Sequence, residues 1–208
     1  MTESIKLDLW NLTANMTAAT DAQSIFNVLG RVHPVERVAK LLYTLNGGSE
    51  REVVFNSNGK RQGRLQHAGD FNIDTINMVD LEGCNQLRFC LIDLDGRTLE
   101  QEITFFSRPV AGPRPGFWLD LSTVQYAGQI GQIVDGRWTV SQDNKGQPCL
   151  EICEEDAGYD RIILFGRQDW TTAYEIKARF CVTRWCAPVH NIGLLFQWQS
   201  HRQGNGTI

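Results

Sequence analysis

The 208 residues carry 42% hydrophobic and 21% charged side chains and a formal net charge of −4, the composition of an ordinary folded chain. Both signs of charge are interspersed and no Lys/Arg stripe appears, which argues against nucleic acid as a partner. The longest apolar runs, at 162–165 and 193–196, fall far short of the roughly 20 residues of a membrane-spanning helix. The first ten residues also lack the basic region and apolar stretch of a signal peptide. Sequence alone therefore leaves localisation undetermined.

Residues 5–12 alternate, with Ile5, Leu7 and Leu9 on one side and Lys6, Asp8 and Trp10 on the other, the pattern of a strand. Residues 13–23 are rich in Thr, Ala and Asn and read as a loop. A second strand is expected over 24–32, with Phe26, Val28 and Val32 on one face and Gly30 between them. The stretch 34–45 is ambiguous. Val35, Val38, Leu41 and Leu42 have helical spacing behind a proline, while Ala39, Leu41, Tyr43 and Leu45 alternate and Asn46-Gly47-Gly48 follows as a turn. A strand over 38–45 is the reading adopted. A short strand over 52–55 and a turn over 56–59 come next. Leu87, Phe89 and Leu91 alternate with Arg88, Cys90 and Ile92, and Leu99, Ile103 and Phe105 return after Asp95-Gly96. This is the strongest hairpin signal in the chain.

Three prolines and two glycines in 107–116 (SRPVAGPRPG) mark a linker. Beyond it, segments 130–134 and 137–140 flank Asp135-Gly136 and predict a second hairpin. Strands follow over 150–153 and 161–165. Residues 173–182 alternate as a long strand, and 192–198 is an almost continuous apolar strand of the kind found at a sheet centre. Short strands, frequent turns and no long helix predict an all-β protein of two β-sandwich modules. The expected boundaries are 1–107, a linker over 108–116, and 117–208.

The first half resembles a bacterial immunoglobulin-like module of the kind repeated in cell-surface and secreted proteins. The residues that carry the likeness are Phe26-Asn27-Val28-Leu29-Gly30-Arg31-Val32, Leu42-Tyr43-Thr44-Leu45-Asn46-Gly47-Gly48, Gly69-Asp70-Phe71-Asn72, Leu81-Glu82-Gly83 with Asn85, and the hairpin turn at 93–96. The second half resembles the concanavalin A-like, laminin G-type jelly roll. Its carrying residues are Val134-Asp135-Gly136-Arg137-Trp138, Gly158-Tyr159-Asp160-Arg161, Leu164-Phe165-Gly166, Trp170-Thr171-Thr172-Ala173-Tyr174-Glu175 and Gly193-Leu194-Leu195-Phe196-Gln197-Trp198-Gln199. The second resemblance implies two curved antiparallel sheets, often used to bind glycans or proteins, and the pair implies an extracellular or cell-surface setting. Fold alone does not fix function. A complete jelly roll of this type takes roughly 170–220 residues. The expectation is therefore a partial jelly roll, the front end of a longer protein, with an incomplete edge open to self-association.

No constellation for catalysis emerges. A retaining glycosidase needs two carboxyl groups about 5–5.5 Å apart. The nearest candidate, Glu151-Ile152-Cys153-Glu154-Glu155-Asp156, has Cys153 where an acid would be wanted and reads as a solvated acidic turn. Asp93-Leu94-Asp95-Gly96 opens like a calcium loop but lacks the later ligands, and a hairpin turn accounts for it. His33, His67, His190 and His201 are isolated. The six cysteines lack zinc spacing, only Cys181 and Cys186 could pair locally across a turn, and free thiols are the expected state. Cys149 and Cys153 would lie about 13 Å apart in a strand, beyond the roughly 7 Å a disulfide spans. Neither catalytic residues nor a metal or other cofactor is expected.

The tryptophans carry the remaining interest, because aromatic faces stack on sugar rings. Trp118, Trp138 and Trp198 read as core or rim packing. Trp185, beside Arg184 and with His190 nearby, is the candidate ligand contact. The expected function is that of a non-catalytic binding protein with a glycan ligand. Its alternatives are the accessory N-terminal part of a larger glycan-active enzyme and a purely structural spacer.

Overall fold

In a computed structural model, the structure describes residues 4–60, 64–108, 119–152, 161–167, 175–183, 192–195 and 198. Among these the protein is all-β, with twelve strands and four single 3-10 turns. The strands are β1 (Lys6–Leu9), β2 (Thr17–Ala19), β3 (Ile25–His33), β4 (Val38–Leu45), β5 (Arg51–Glu52) and β6 (Asp70–Asn77). They continue with β7 (Cys84–Asp93), β8 (Thr98–Arg108), β9 (Gln132–Asp135), β10 (Trp138–Gln142), β11 (Pro148–Ile152) and β12 (Ile162–Leu164).

Strands β1 to β8 form two sheets, in the orders β1-β3-β6 and β2-β8-β7-β4-β5. Period-two alternation creates their inner faces. In β7, Asn85, Leu87, Phe89, Leu91 and Asp93 are buried, and the residues between them are exposed or half-buried. Phe26 of β3 stacks on Phe105 of β8 with ring centroids 5.3 Å apart, and Phe71 of β6 meets Phe89 of β7 at 6.4 Å. These pairs bridge the two sheets of a sandwich and fix their spacing. Gly30 faces Phe71 across the β3–β6 ladder. A Cβ at Gly30 would come within 2.6 Å of the Phe71 ring, so the absence of a side chain is what lets the ring lie flat on the strand.

The β7–β8 hairpin forms as expected, from Cys84↔Phe106 to Ile92↔Thr98. Asp93 closes it: its Oδ1 accepts N–H groups from Asp95 at 2.9 Å and Arg97 at 2.8 Å. Its Oδ2 is paired with the Arg37 guanidinium at 3.2 Å. The carboxylate is thus committed to a turn. Strand β4 spans the expected residues, with a bulge between Val38 and Lys40. The bulge places Val38, Leu41 and Tyr43 inside and leaves Ala39 outside, which explains the helix-like spacing in the sequence.

The strand map departs from expectation in several places. The presumed loop at 13–23 contains β2, which pairs parallel with β8 at Thr17↔Phe106. Strand β6 was not anticipated at all. Strand β5 ends at Glu52, and beyond it Phe55 makes only a single bridge to Phe71. The hairpin expected at Asp135-Gly136 does not form. Its two arms exist, but β9 pairs with β12 and β10 pairs with β11. Gly136 adopts φ 84° and turns a corner between two small sheets, while Asp135 is drawn toward the sandwich by an ion pair described below.

The β10–β11 hairpin closes on residues 143–147, where Asp143 Oδ1 accepts from Lys145 and Gln147, each at 2.8 Å. The strands expected over 173–182 and 192–198 are not found among the described residues. Residues 175–183 and 192–195 lie outside strands, with Phe180 and Leu195 each 54% exposed. Alternation marks a face suited to a sheet, but a strand exists only where a neighbour takes up its backbone hydrogen bonds. The linker expected at 108–116 falls, after Arg108, outside the described residues. No described helix is long and apolar enough to cross a membrane.

Candidate functional site

Residues 119–152 and 161–167 meet the sandwich along the β3–β6 side, through buried polar side chains. Gln132 is 2% exposed. Its Oε1 accepts the N–H groups of Ala22 and Gln23, both at 3.1 Å, and its Nε2 donates to Ile25 O at 2.6 Å. One amide thereby satisfies three backbone groups that would otherwise be buried without partners. Arg64 reaches across in the same way. It donates to Asp135 Oδ1 at 2.5 Å, Asp74 Oδ2 at 2.9 Å and Val134 O at 2.9 Å. Asn72 Nδ2 adds bonds to Val134 O at 2.9 Å and Asp135 Oδ1 at 3.1 Å. A small apolar cluster of Leu29, Ala127 and Ile133, with Trp10, Trp138, Leu150 and Ile163 against it, completes the contact.

Where these two parts meet, they leave an open cleft of about 250 Å³ with Trp10, Tyr126 and Trp138 in its wall. The sequence folds so as to hold each ring. Asn11 is buried and anchors the end of β1: its Nδ2 donates to Asn27 O at 2.7 Å and its Oδ1 accepts from Leu29 N at 3.0 Å. Trp10 N donates to Leu29 O at 2.9 Å. The Arg31 guanidinium, fixed by Asp70 at 2.7 Å, lies 5.5 Å from the centroid of the Trp10 ring, a cation–π contact. The Trp10 indole N–H is shielded and has no acceptor among the described residues. Trp138 Nε1 donates to Asp135 O at 3.0 Å, so the corner at Gly136 sets the orientation of that ring. Tyr126 precedes the 3-10 turn Ala127–Gln129, where Gln129 Oε1 accepts from Gln125 N at 2.9 Å and Tyr126 N at 3.0 Å. Gly128 presses this turn against the chain just past β1, since a Cβ there would meet Asn11 O at 2.9 Å.

Among the described residues, the rest of the wall is Asn11, Thr13, Gln125, Arg137 and Thr139 with the small or apolar Ala127, Gly128 and Val140, and no Asp, Glu or His. This arrangement can stack a ring and offer hydroxyl, amide and guanidinium groups to its edges, and its lining holds no acid–base pair. Among the described residues no group of three or more His, Cys, Asp or Glu side chains converges as a metal site would require. Cys84, Cys90, Cys149 and Cys181 are free thiols. Partial desolvation, with Glu100 near Cys90 and Glu151 near Cys149, pushes those two thiols up, away from the thiolate a nucleophile would need.

Of the residues singled out from sequence, Arg184, Trp185 and His190 lie outside the described residues, as does most of the acidic stretch 151–156. Trp118 does too. Trp198 packs against Val134, Ile162 and Leu164, and its Nε1 donates to Gln23 Oε1 at 3.3 Å. Trp138, read as packing, both packs and faces the cleft. Trp10, Tyr126 and Arg137 were not singled out. Trp10 did carry a signal: it stands on the polar side of an alternating strand, where an aromatic ring needs a separate reason.

No protein-family model matches the chain, and no functionally curated protein matches it. A solved structure with some similarity is that of CopC from Methylosinus trichosporium OB3b, 17% identical, with a TM-score of 0.30, covering 50% of this chain and 96% of CopC. A likeness that loose bears on neither the site nor the function.

Proposed function

We propose that this protein is a non-catalytic binding protein that takes carbohydrate into the cleft between Trp10 and Trp138. The observation that carries this reading is the wall itself. Three aromatic side chains and a fringe of hydroxyl, amide and guanidinium groups line an open space of about 250 Å³, with no carboxylate among its described residues. Aromatic faces supply the apolar contact that the C–H face of a sugar ring prefers, and the polar fringe meets its hydroxyls.

The finer architecture belongs to the same proposal. Residues 1–107 form an immunoglobulin-like module, 108–116 a linker, and 117–208 part of a concanavalin A-like, laminin G-type jelly roll, in a surface-associated protein. The strand orders β1-β3-β6 and β2-β8-β7-β4-β5 support the first module, because an immunoglobulin sandwich splits its strands in a similar way. For the second module the support is the sequence motifs alone. A further contact through Arg184, Trp185 and His190, and self-association through the jelly-roll edge, complete the proposal.

A glycan array probed with the full chain, followed by titration of any hit, tests the function. Tyr126 is 45% exposed, so Tyr126→Ala is expected to weaken binding at least tenfold while leaving the circular dichroism spectrum unchanged. A blank array, or binding untouched by Tyr126→Ala and Trp138→Phe, would overturn the cleft as the site. Loss in Trp185→Ala instead would move it to the 184–190 loop.

A further inference from the structure

Resting on the reading of the cleft as a saccharide site, we infer that its ligand is an anionic sugar, whose carboxylate or sulfate is held by Arg137. Among the described residues of the cleft wall, Arg137 carries the only full charge. It follows the corner at Gly136 and precedes Trp138, so a guanidinium and an indole are presented together at the rim.

Arg137 is only loosely engaged within the protein. Its Nη1 is 3.9 Å from Asp8 Oδ2, and each side chain is 49% exposed. An ion pair that long and that wet contributes little. The contrast with Arg64 is instructive: three acceptors at 2.5 to 2.9 Å hold that guanidinium, which is 16% exposed. Arg64 is spent on structure, whereas Arg137 can exchange Asp8 for a better acceptor. A carboxylate or sulfate offers two oxygens to the planar fork of the guanidinium, a geometry that a neutral hydroxyl cannot match.

The sign of the wall works in the same direction. A cationic amino sugar would face Arg137, and the described residues of the wall include no acid to compensate it. An anionic sugar meets the positive charge of Arg137 and competes for it with the Asp8 carboxylate 3.9 Å away. The net charge of −4 opposes long-range attraction of anions, so the preference resides in close contact and therefore in the dissociation rate.

The test uses the full chain and matched pairs of oligosaccharides: a galacturonate trisaccharide against its methyl ester, and a sulfated galactan fragment against its desulfated form. Titration calorimetry is expected to show one acidic member binding about tenfold to a hundredfold more tightly than its neutral partner, the range of a charge-assisted hydrogen bond. Arg137→Gln is expected to erase that preference, so that the acidic and neutral members bind equally in the variant, and Asp8→Asn to strengthen acidic binding by freeing Arg137. Equal binding of acidic and neutral members, both lost in Tyr126→Ala, would overturn the anionic preference and keep the saccharide site. A preference that survives Arg137→Gln would also overturn it. No binding of any member would overturn both readings.

Discussion

The described residues of 5–108 and of 119–167 both build strands, but they reach burial by different routes. The first region has strands of up to 11 residues and an interior that needs no help. Leu87, Phe89 and Phe105 are 0% exposed, and Phe71 and Leu91 are 1% exposed. The second region has strands of three to five residues in two-stranded pairs. Two-stranded pairs this short are marginal alone. Its burial depends on the first region: Ala127 and Ile133 share their cluster with Leu29, and Gln132 and Asp135 are satisfied by groups from 22–25 and by Arg64 and Asn72. The comparison teaches that an apolar pattern in sequence marks a surface that must be covered. It does not say whether the cover comes from the same region.

The strongest test of that dependence is to damage the self-sufficient region. Phe89→Ala removes a ring with no exposure and is expected to cost about 3–5 kcal/mol. If residues 119–167 lean on the sandwich, the loss reaches them too. Urea unfolding followed by far-UV circular dichroism and by tryptophan fluorescence should then shift together, in one transition. Two separated transitions, with only one shifted, would break the comparison and show that the second region stands by itself.

A smaller and more local effect is expected at the contact itself. Asp135 is 1% exposed and paired with Arg64. Asp135→Ala leaves a partly buried guanidinium short of one partner, at a cost of about 3 kcal/mol. Hydrogen exchange should quicken at Ile133 and Ile163, whose backbones pair in β9 and β12, and stay slow at Leu87 and Phe89. Equal quickening in both places would mean that the contact supports the sandwich as much as it supports the second region.

The smallest effect concerns a turn that belongs to the second region alone. The N–H groups of Gln147 and Lys145 hold the Asp143 carboxyl below the usual carboxylate range. A carboxyl with a lowered folded value adds stability above its unfolded value, and that stability fades as pH falls through the folded one. Asp143 lies half-buried in a surface turn, so the contribution is slight. Amide exchange at Lys145 and Gln147, corrected for its intrinsic pH dependence, should be slowest near neutrality and quicken below about pH 4. In Asp143→Ala it should be fast at every pH.

How much of this was legible in the sequence depended on whether the alternation was interrupted. The β7–β8 hairpin was read correctly because Leu87, Phe89 and Leu91 alternate without a break and Asp95-Gly96 supplies the turn. Strand β6 escaped because its ladder has a bulge opposite Phe26–Val28. Ile73 and Ile76 both face inward, and a spacing of three is no strand signal. Strand β2 escaped because three residues are too few to show a period. The expected strands at 173–182 and 192–198 show the converse error, a clear pattern with no neighbour among the described residues. The cleft was illegible for another reason. Trp10 and Trp138 are joined by folding alone, and no local spacing relates them. The sequence could offer only the misplaced ring at Trp10.

Strand β2 runs parallel to β8, with Thr17, Ala18 and Ala19 beside Phe106, Ser107 and Arg108. Asn15 N to Thr104 O at 2.7 Å and Phe106 N to Met16 O at 2.8 Å extend the contact. The pairing therefore joins the entry of the sandwich to its exit. A tension applied along the chain would draw β2 backward and β8 forward along their common axis. The hydrogen bonds between them would bear that load side by side, in shear, and would have to fail together. Strands pulled from one end instead release their bonds one after another. This placement makes the parallel pair a mechanical clasp between the two ends of the sandwich.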